Sequence, residues 1–294
     1  MEMTATEIFL RLRNGLVRLD QEVTTFVQSQ GVDPAPGSQA ATERATYKRP
    51  ESLYTVSGIC GILLESVAEH VSLLVRAMHE PITPFACWTC VRSMLESASI
   101  AAWLHDPKID AEKRISRAYA HRYEGLEEQM KFGRAANIPA DELKKHEDLV
   151  EKLEQDAVAL GFFVIQDRKG NRIGIAERTP SATDIIKLML NEEVAYRALS
   201  AVAHAHTWAM QRLGFTLAAV QPSPTGDGTC VVALEKSAGS IHGHAYSVTR
   251  AAKALILPVL NQCLYFGWDK DCLVAVLESV YDDMGMQPVT RFWR

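Results

Sequence analysis

No stretch of this chain is both long and uninterruptedly apolar. The most apolar helical segment, Leu53 to Met78, contains Glu65, Glu69, His70 and Arg76. It reads as a buried core helix rather than a membrane span. The N-terminus offers no secretory leader, because Glu2, Glu7, Arg11 and Arg13 interrupt any apolar core there. A cytoplasmic location and no membrane partner are expected. Strong charge of either sign is also missing. The 31 basic and 36 acidic residues leave a formal net charge of -5, which argues against a broad electrostatic grip on nucleic acid but leaves a local basic pocket open. Cysteine is sparse, six in 294 residues. Cys87 and Cys90 form a CxxC, but no second pair stands at zinc-site spacing, and their surroundings, FACWTCVRSMLESA, look helical rather than thioredoxin-like. Buried structural thiols are the expectation. A di-metal carboxylate bundle wants Glu-x-x-His on two helices. His121 and Glu124 have the reverse order, and Glu65 to His70 has the wrong spacing. Neither metal nor cofactor is expected. There is no internal repeat and no low-complexity tract.

What is present is a globular composition, 47% hydrophobic and 23% charged. Thr4 and Glu7 predict a capping box, followed by a helical stripe of Ile8, Leu12, Leu16, Leu19, Val23 and Phe26 that ends near Gly31. Residues 31–50 hold three prolines and no periodicity, which predicts a loop or linker. The chain thus divides into an N-terminal helix or arm (1–30), able to pack on a partner, a linker (31–50) and a single helical domain (51–294). Within that domain, helices are predicted at Leu53–His79, Pro84–His105, Asp110–Ala136 and Asp141–Leu160. The Asp106-Pro107 pair should stop the second of these. Phe162–Gln166 and Arg172–Ile175 flank a turn and predict a β-hairpin. A helical stretch capped by Ser181 runs to Leu213 with a break near Asn191. A second hairpin is predicted from Phe215–Val220 and Thr229–Leu234 around SPTGDG, then helices at Ser240–Trp268, kinked at Pro258, and Asp271–Met284. The tail QPVTRFWR should dock. The fold class is all-α, an orthogonal or up-down bundle of eight to nine helices with one or two small β-hairpins.

The segment most suggestive of chemistry is Tyr196 to Trp208, YRALSAVAHAHTW. Read as one helix, it puts Arg197, Ser200 and His204 on one face. Polar groups in an apolar helix need partners or a purpose. The helix around residue 65 adds Glu65, Glu69 and His70, and the next adds Arg92 and Glu96, an i,i+4 pair. Converged, these helices would make a pocket in which Arg92 and Arg197 fork a carboxylate, sulfate or phosphate. His204, helped by Glu96 or Ser200, would move a proton. Tyr196, His206 and Glu69 would complete the substrate contacts. The plainer reading stands beside it. Arg92 and Glu96 could neutralise each other, His204 could be a satisfied core histidine, and His206 could be structural or a rim residue. His242 and His244, at a helix start, suit capping or the surface.

The helices Arg92-Ser93-Met94-Leu95-Glu96 and Leu199-Ser200-Ala201-Val202-Ala203-His204 resemble a bacterial helical family of unknown function that carries RxxxE and SxxxH helices. The spacing of Arg197 and His204 also resembles the R-x6-H motif of HEPN-type ribonucleases. That resemblance implies His204 as acid/base residue, Arg197 as phosphate stabiliser, RNA as substrate and a site across a dimer interface. The spacing occurs again at Arg114 to His121. Three readings are open. The first is an enzyme acting by acid/base chemistry (elimination, cyclisation or hydrolysis) on a small anionic substrate. The alanine-rich, arginine-over-lysine style associates such an enzyme with bacterial secondary metabolism. The second is a HEPN-like ribonuclease, toxin or defence protein. The third is a non-catalytic helical interaction protein. A homodimer, or a complex with a second chain, is expected in each.

Overall fold

The structure is a computed structural model, and it describes residues 4–78, 84–222, 230–236 and 241–285. The SPTGDG segment, the tail after Gly285 and the side chains of His242 and His244 lie outside the described residues. Among them the chain forms eleven helices and two antiparallel hairpins, which is the all-α architecture expected. The helices are α1 (Ala5–Gln30), α2 (Gln39–Thr46), α3 (Glu51–Ala77), α4 (Pro84–Leu104), α5 (Ala111–Ala135) and α6 (Ala140–Leu160). They continue with α7 (Ala182–Leu190), α8 (Glu193–Ala203), α9 (Thr207–Gly214), α10 (Ile241–Phe266) and α11 (Lys270–Met284). The first hairpin pairs β1 (Val164–Gln166) with β2 (Arg172–Ile175), and the second pairs β3 (Phe215–Pro222) with β4 (Cys230–Lys236).

α4 is the central element. It is apolar on nearly every side, so it is buried on nearly every side. Cys87, Val91, Met94, Leu95, Ala98, Ala102 and Leu104 all lie in the core. Around it pack α3, α10, α7 and α8. The CxxC therefore sits inside a helix, and burial pushes the Cys87 thiol up to about 11, which leaves it inert at neutral pH. α4 stops where Asp106-Pro107 predicts. Its end is capped from α5, where Arg117 Nη1 donates to the Trp103 carbonyl at 2.5 Å and Arg114 Nη1 to the Leu104 carbonyl at 2.6 Å.

Three expectations are corrected. Residues 1–30 are not an arm. The capping box forms as predicted, with Thr4 N–H donating to Glu7 at 2.7 Å, but Leu12, Leu16 and Leu19 are fully enclosed by α10, α11 and α3. The 31–50 segment is not only loop. Ser38 caps α2 by accepting from Ala41 N–H, and α2 buries Ala40 and sends Glu43 toward Arg114. Eight residues are too few to show a period, so no pattern marks this helix. Finally, α3 is a core helix on one side only, with Val56, Cys60, Val67, Val71 and Leu74 buried. It is long and apolar enough to cross a membrane, and an 18-residue window of it has mean hydropathy 1.6, yet only 22% of that window is buried.

A second small core lies where α5, α6 and the first hairpin meet, around Ile115, Tyr119, Tyr123, Leu153 and Ile175. The hairpin turn is made by Asp167, whose carboxylate accepts from the backbone N–H groups of Lys169 and Asn171 at 2.8 and 2.9 Å. Gly170 supplies the positive φ of +81° that this turn requires.

Candidate functional site

Polar residues do converge on α4, though not with all the partners expected. Arg92 Nη2 lies 2.8 Å from Glu96 Oε1. The same carboxylate oxygen accepts the Tyr196 hydroxyl at 2.6 Å, from α8 across the helix–helix contact. The Arg92 guanidinium stands 5.7 Å from the centre of the Tyr196 ring, within cation–π range. This trio is half-buried, the Arg92 and Glu96 side chains being 22% and 29% exposed. Burial first, then the Glu96 carboxylate, raises the Tyr196 phenol above its ordinary value, so it stays protonated at neutral pH. On the other flank of α4, the Ser66 and Ser97 hydroxyls meet at 3.4 Å, and His70 Nδ1–H donates to the Ser66 carbonyl at 2.7 Å.

A second polar group adjoins the trio through α8. Glu192, one turn before Tyr196, takes Lys253 Nζ at 2.8 Å and faces Arg250 Nε at 3.4 Å, both from α10. Arg250 stacks over the Tyr246 ring at 3.8 Å. Glu192 is the N-cap of α8, and its carbonyl accepts the Tyr196 N–H at 2.9 Å. The two groups, linked through the first turn of α8, together hold three cations, two carboxylates and two tyrosines. The Nε atoms of Arg92 and Arg250 are enclosed by the protein without a hydrogen bond, Arg250 Nε meeting Glu192 only as an ion pair. Arg250 and Lys253 escaped the sequence reading. The signal was there, two cations at i,i+3 inside the apolar run VTRAAKALIL, the same criterion that picks out Arg92 and Glu96.

The remaining residues singled out by sequence lie elsewhere. Arg197 is exposed and ion-paired to Glu193 at 3.0 Å. Glu69 and Glu65 are exposed on α3. Ser200 is half-buried. His204 and His206 are exposed, their ring centres 6.5 Å apart. The segment read as one helix is in fact two. α8 ends at Ala203, and His204 caps it. Ala205 turns left-handed at φ +56°. Ala205 N–H then bonds to the Val202 carbonyl, and His206 N–H to the Ala201 carbonyl, each at 2.9 Å. This is a Schellman ending with alanine where glycine is usual. Arg197 and His204 still stand two turns apart on one side of α8, but neither hydrogen-bonds to the Arg92 trio.

The most deeply buried charge belongs to a different cluster. Arg114 is fully enclosed. It donates to the carbonyls of Leu104, Asp106 and Ile109, pairs with Glu43 at 3.3 Å, and lies 3.7 Å over the Tyr265 ring. Tyr265 in turn donates its hydroxyl to Glu43 at 2.9 Å. The donors of Arg114 are spent on protein acceptors, so the cluster is a clamp that joins α2, α4, α5 and α10 rather than a site. Cavities of 290, 340 and 170 Å³ lie along α5, with linings that do not include Arg92, Glu96 or Tyr196. No protein-family model, curated protein or solved structure matches the chain.

Proposed function

We propose that this protein binds a small organic anion (a carboxylate, sulfate or phosphate ester) on the α4–α8–α10 face, with Arg92 and Arg250 as the anchoring groups. The observation that carries this reading is the excess of cations over carboxylates in the two linked groups, Arg92, Arg250 and Lys253 against Glu96 and Glu192. Guanidinium forks suit such anions. Glu96 and Glu192 hold the two arginines in place, and Lys253 leaves the group with one excess positive charge.

Acid/base catalysis on the bound anion is the second reading, and one observation favours it. The Tyr196 hydroxyl donates to Glu96 at 2.6 Å beside Arg92. In this reading Glu96 and Tyr196 take the role that the sequence assigned to His204. Glu96 would accept a proton from the substrate, and Tyr196, kept protonated, would hold the carboxylate in position.

The test is thermal denaturation against a panel of small sulfated, phosphorylated and carboxylated compounds. A ligand at 100 times its Kd stabilises by about 2.7 kcal/mol, a melting shift of roughly 5 °C or more for a chain of this size. Arg92→Gln and Arg250→Gln should each abolish the shift while circular dichroism stays native. A ligand that still stabilises both variants would refute the assignment, and so would a panel in which no compound raises the melting temperature. Tyr196→Phe separates the two readings. It should leave binding within a few-fold in either case, and should abolish turnover of the identified ligand only if the site is catalytic.

A further inference from the structure

Two of the cavities along α5 adjoin. The one of 170 Å³ lies between Arg49, just ahead of α3, Tyr119 of α5 and Asp156 of α6. The one of 340 Å³ lies between Gly125 and Leu126 of α5 and Leu149 and Leu153 of α6. Arg122 and Asp156 line both, so together they make one groove with a charged end and an apolar end.

The charged end holds its charges apart. Burial, then the Asp156 carboxylate, raises the Tyr119 phenol above its ordinary value, while Arg122, the Ser52 hydroxyl and Arg49 pull it back. Both arginines and the aspartate thus stand around one buried ring. Yet among the described residues neither arginine closes an ion pair with Asp156 or with any other carboxylate. Nearby, opposite charges do close, Lys113 with Glu177 at 2.7 Å and Arg172 with Glu154 at 3.2 Å. Glu51 at the charged end and Lys152 at the apolar end add one charge of each sign. Two guanidinium groups on one side of a cavity suit a carboxylate. A carboxylate across from them suits an ammonium group. A ligand that satisfies both carries the two charges close together and has no net charge.

The apolar end has room for a body attached to those charges. Gly125 stands inside α5, where glycine weakens a helix relative to alanine. Its φ is not positive, and a Cβ added there would meet nothing within 4 Å. The missing side chain leaves the cavity wall bare. Leu153 belongs to the small core, Leu126 packs against that core, and Leu149 is left 48% exposed. Arg122 and Leu126 are i and i+4, roughly 5–6 Å apart, about the reach of a phenylalanine side chain.

We propose that this groove binds a free α-amino acid with a large apolar side chain. Arg49 and Arg122 hold its carboxylate, Asp156 takes its ammonium group, and its side chain lies over Gly125 against Leu126 and Leu149. The groove is separate from the α4–α8–α10 face, so Arg92→Gln should leave its affinity unchanged. Isothermal titration calorimetry of the full chain with L-phenylalanine and L-leucine should show one site with a Kd below about 1 mM. L-Alanine lacks the apolar body, N-acetyl-L-phenylalanine the ammonium group and L-phenylalaninamide the carboxylate. Each should bind at least 10-fold more weakly. Arg122→Gln and Asp156→Asn should each weaken L-phenylalanine at least 10-fold with native circular dichroism. Gly125→Leu fills the apolar end without meeting its own chain, so it should abolish binding while the melting temperature is unchanged or raised. No binding of either amino acid at about 10 mM would overturn the proposal. So would binding that survives both Arg122→Gln and Gly125→Leu, or that is lost in Arg92→Gln instead. N-acetyl-L-phenylalanine binding as tightly as L-phenylalanine would overturn the assignment of Asp156.

Discussion

His105 sits against the Tyr265 and Phe266 rings at 5.4 and 5.5 Å, and its Nε2 has no hydrogen-bond partner. Burial, helped by the nearby charges of Arg114 and Arg44, lowers its pKa to about 3. In the unfolded chain the same imidazole titrates near 6.5. Below that value the unfolded state binds a proton that the folded state refuses, so stability is complete above pH 6.5 and is lost progressively down to about pH 3. The slope is about 1.4 kcal/mol per pH unit when this group acts alone. Urea unfolding between pH 7 and 4 should therefore steepen in its loss of stability, and His105→Phe should flatten that profile. An identical profile in the variant would show that other groups govern the acid limb. The residue scale also marks how far the sequence could be read. Arg92 and Glu96 stood out because they interrupt an apolar face. Arg114 did not stand out, because its acceptors lie at the end of the preceding helix and on Glu43, 71 residues away. No local pattern encodes such a pairing.

At the scale of elements, helix ends were legible where a side chain makes them. Thr4 and Glu7 cap α1, Ser181 caps α7, and Asn191, left-handed at φ +51°, ends α7. The end of α8 was not legible. Ala205 occupies the left-handed position of the Schellman turn, and alanine there costs roughly 1–2 kcal/mol. The turn is held in place by α9, which packs back on α8 and α4 and buries Ala209 completely. Ala205→Gly should relieve that strain and raise the unfolding free energy by about 0.5–1 kcal/mol, less than the full strain because glycine also loses more freedom on folding. Chemical denaturation measures it. A destabilised variant would mean that the Ala205 methyl makes a packing contribution larger than the strain. The consequence for the site is direct. Because the turn falls at Ala205, His204 caps α8 in solvent, and Tyr196 becomes the α8 residue that meets Arg92 and Glu96.

For the whole molecule, the sharpest departure is the N-terminal helix. Its stripe of Leu12, Leu16 and Leu19 was visible, but an amphipathic helix ahead of a proline-rich segment fits a partner's surface as well as its own chain's core. The structure places it in the core, against α10 and α11. Each buried leucine in such a position is worth about 2–5 kcal/mol on truncation to alanine, against a total stability of roughly 5–15 kcal/mol. Leu16→Ala should thus lower stability by about 2–5 kcal/mol. Removing residues 1–30 should abolish the cooperative unfolding transition and expose apolar surface, read by circular dichroism and by binding of a hydrophobic dye. A truncated chain that still unfolds cooperatively would restore the separable arm.

Sequence alone determined the helical class, the positions of most helices, both hairpins and the Arg92–Glu96 pair. Periodicity, capping residues and the cost of burying charge act over one to four residues and can be read locally. Tertiary structure alone decided that α1 belongs to the core, that α2 exists, that α8 breaks at Ala205, that Tyr196 meets Glu96 and that Glu192 meets Arg250 and Lys253. Each of those outcomes depends on which apolar surface another element covers, a contact between residues far apart in the chain. The outer face of α3 is the same problem one level up. Its hydrophobicity is written in the sequence, and only the packing of the other helices shows that it is left uncovered.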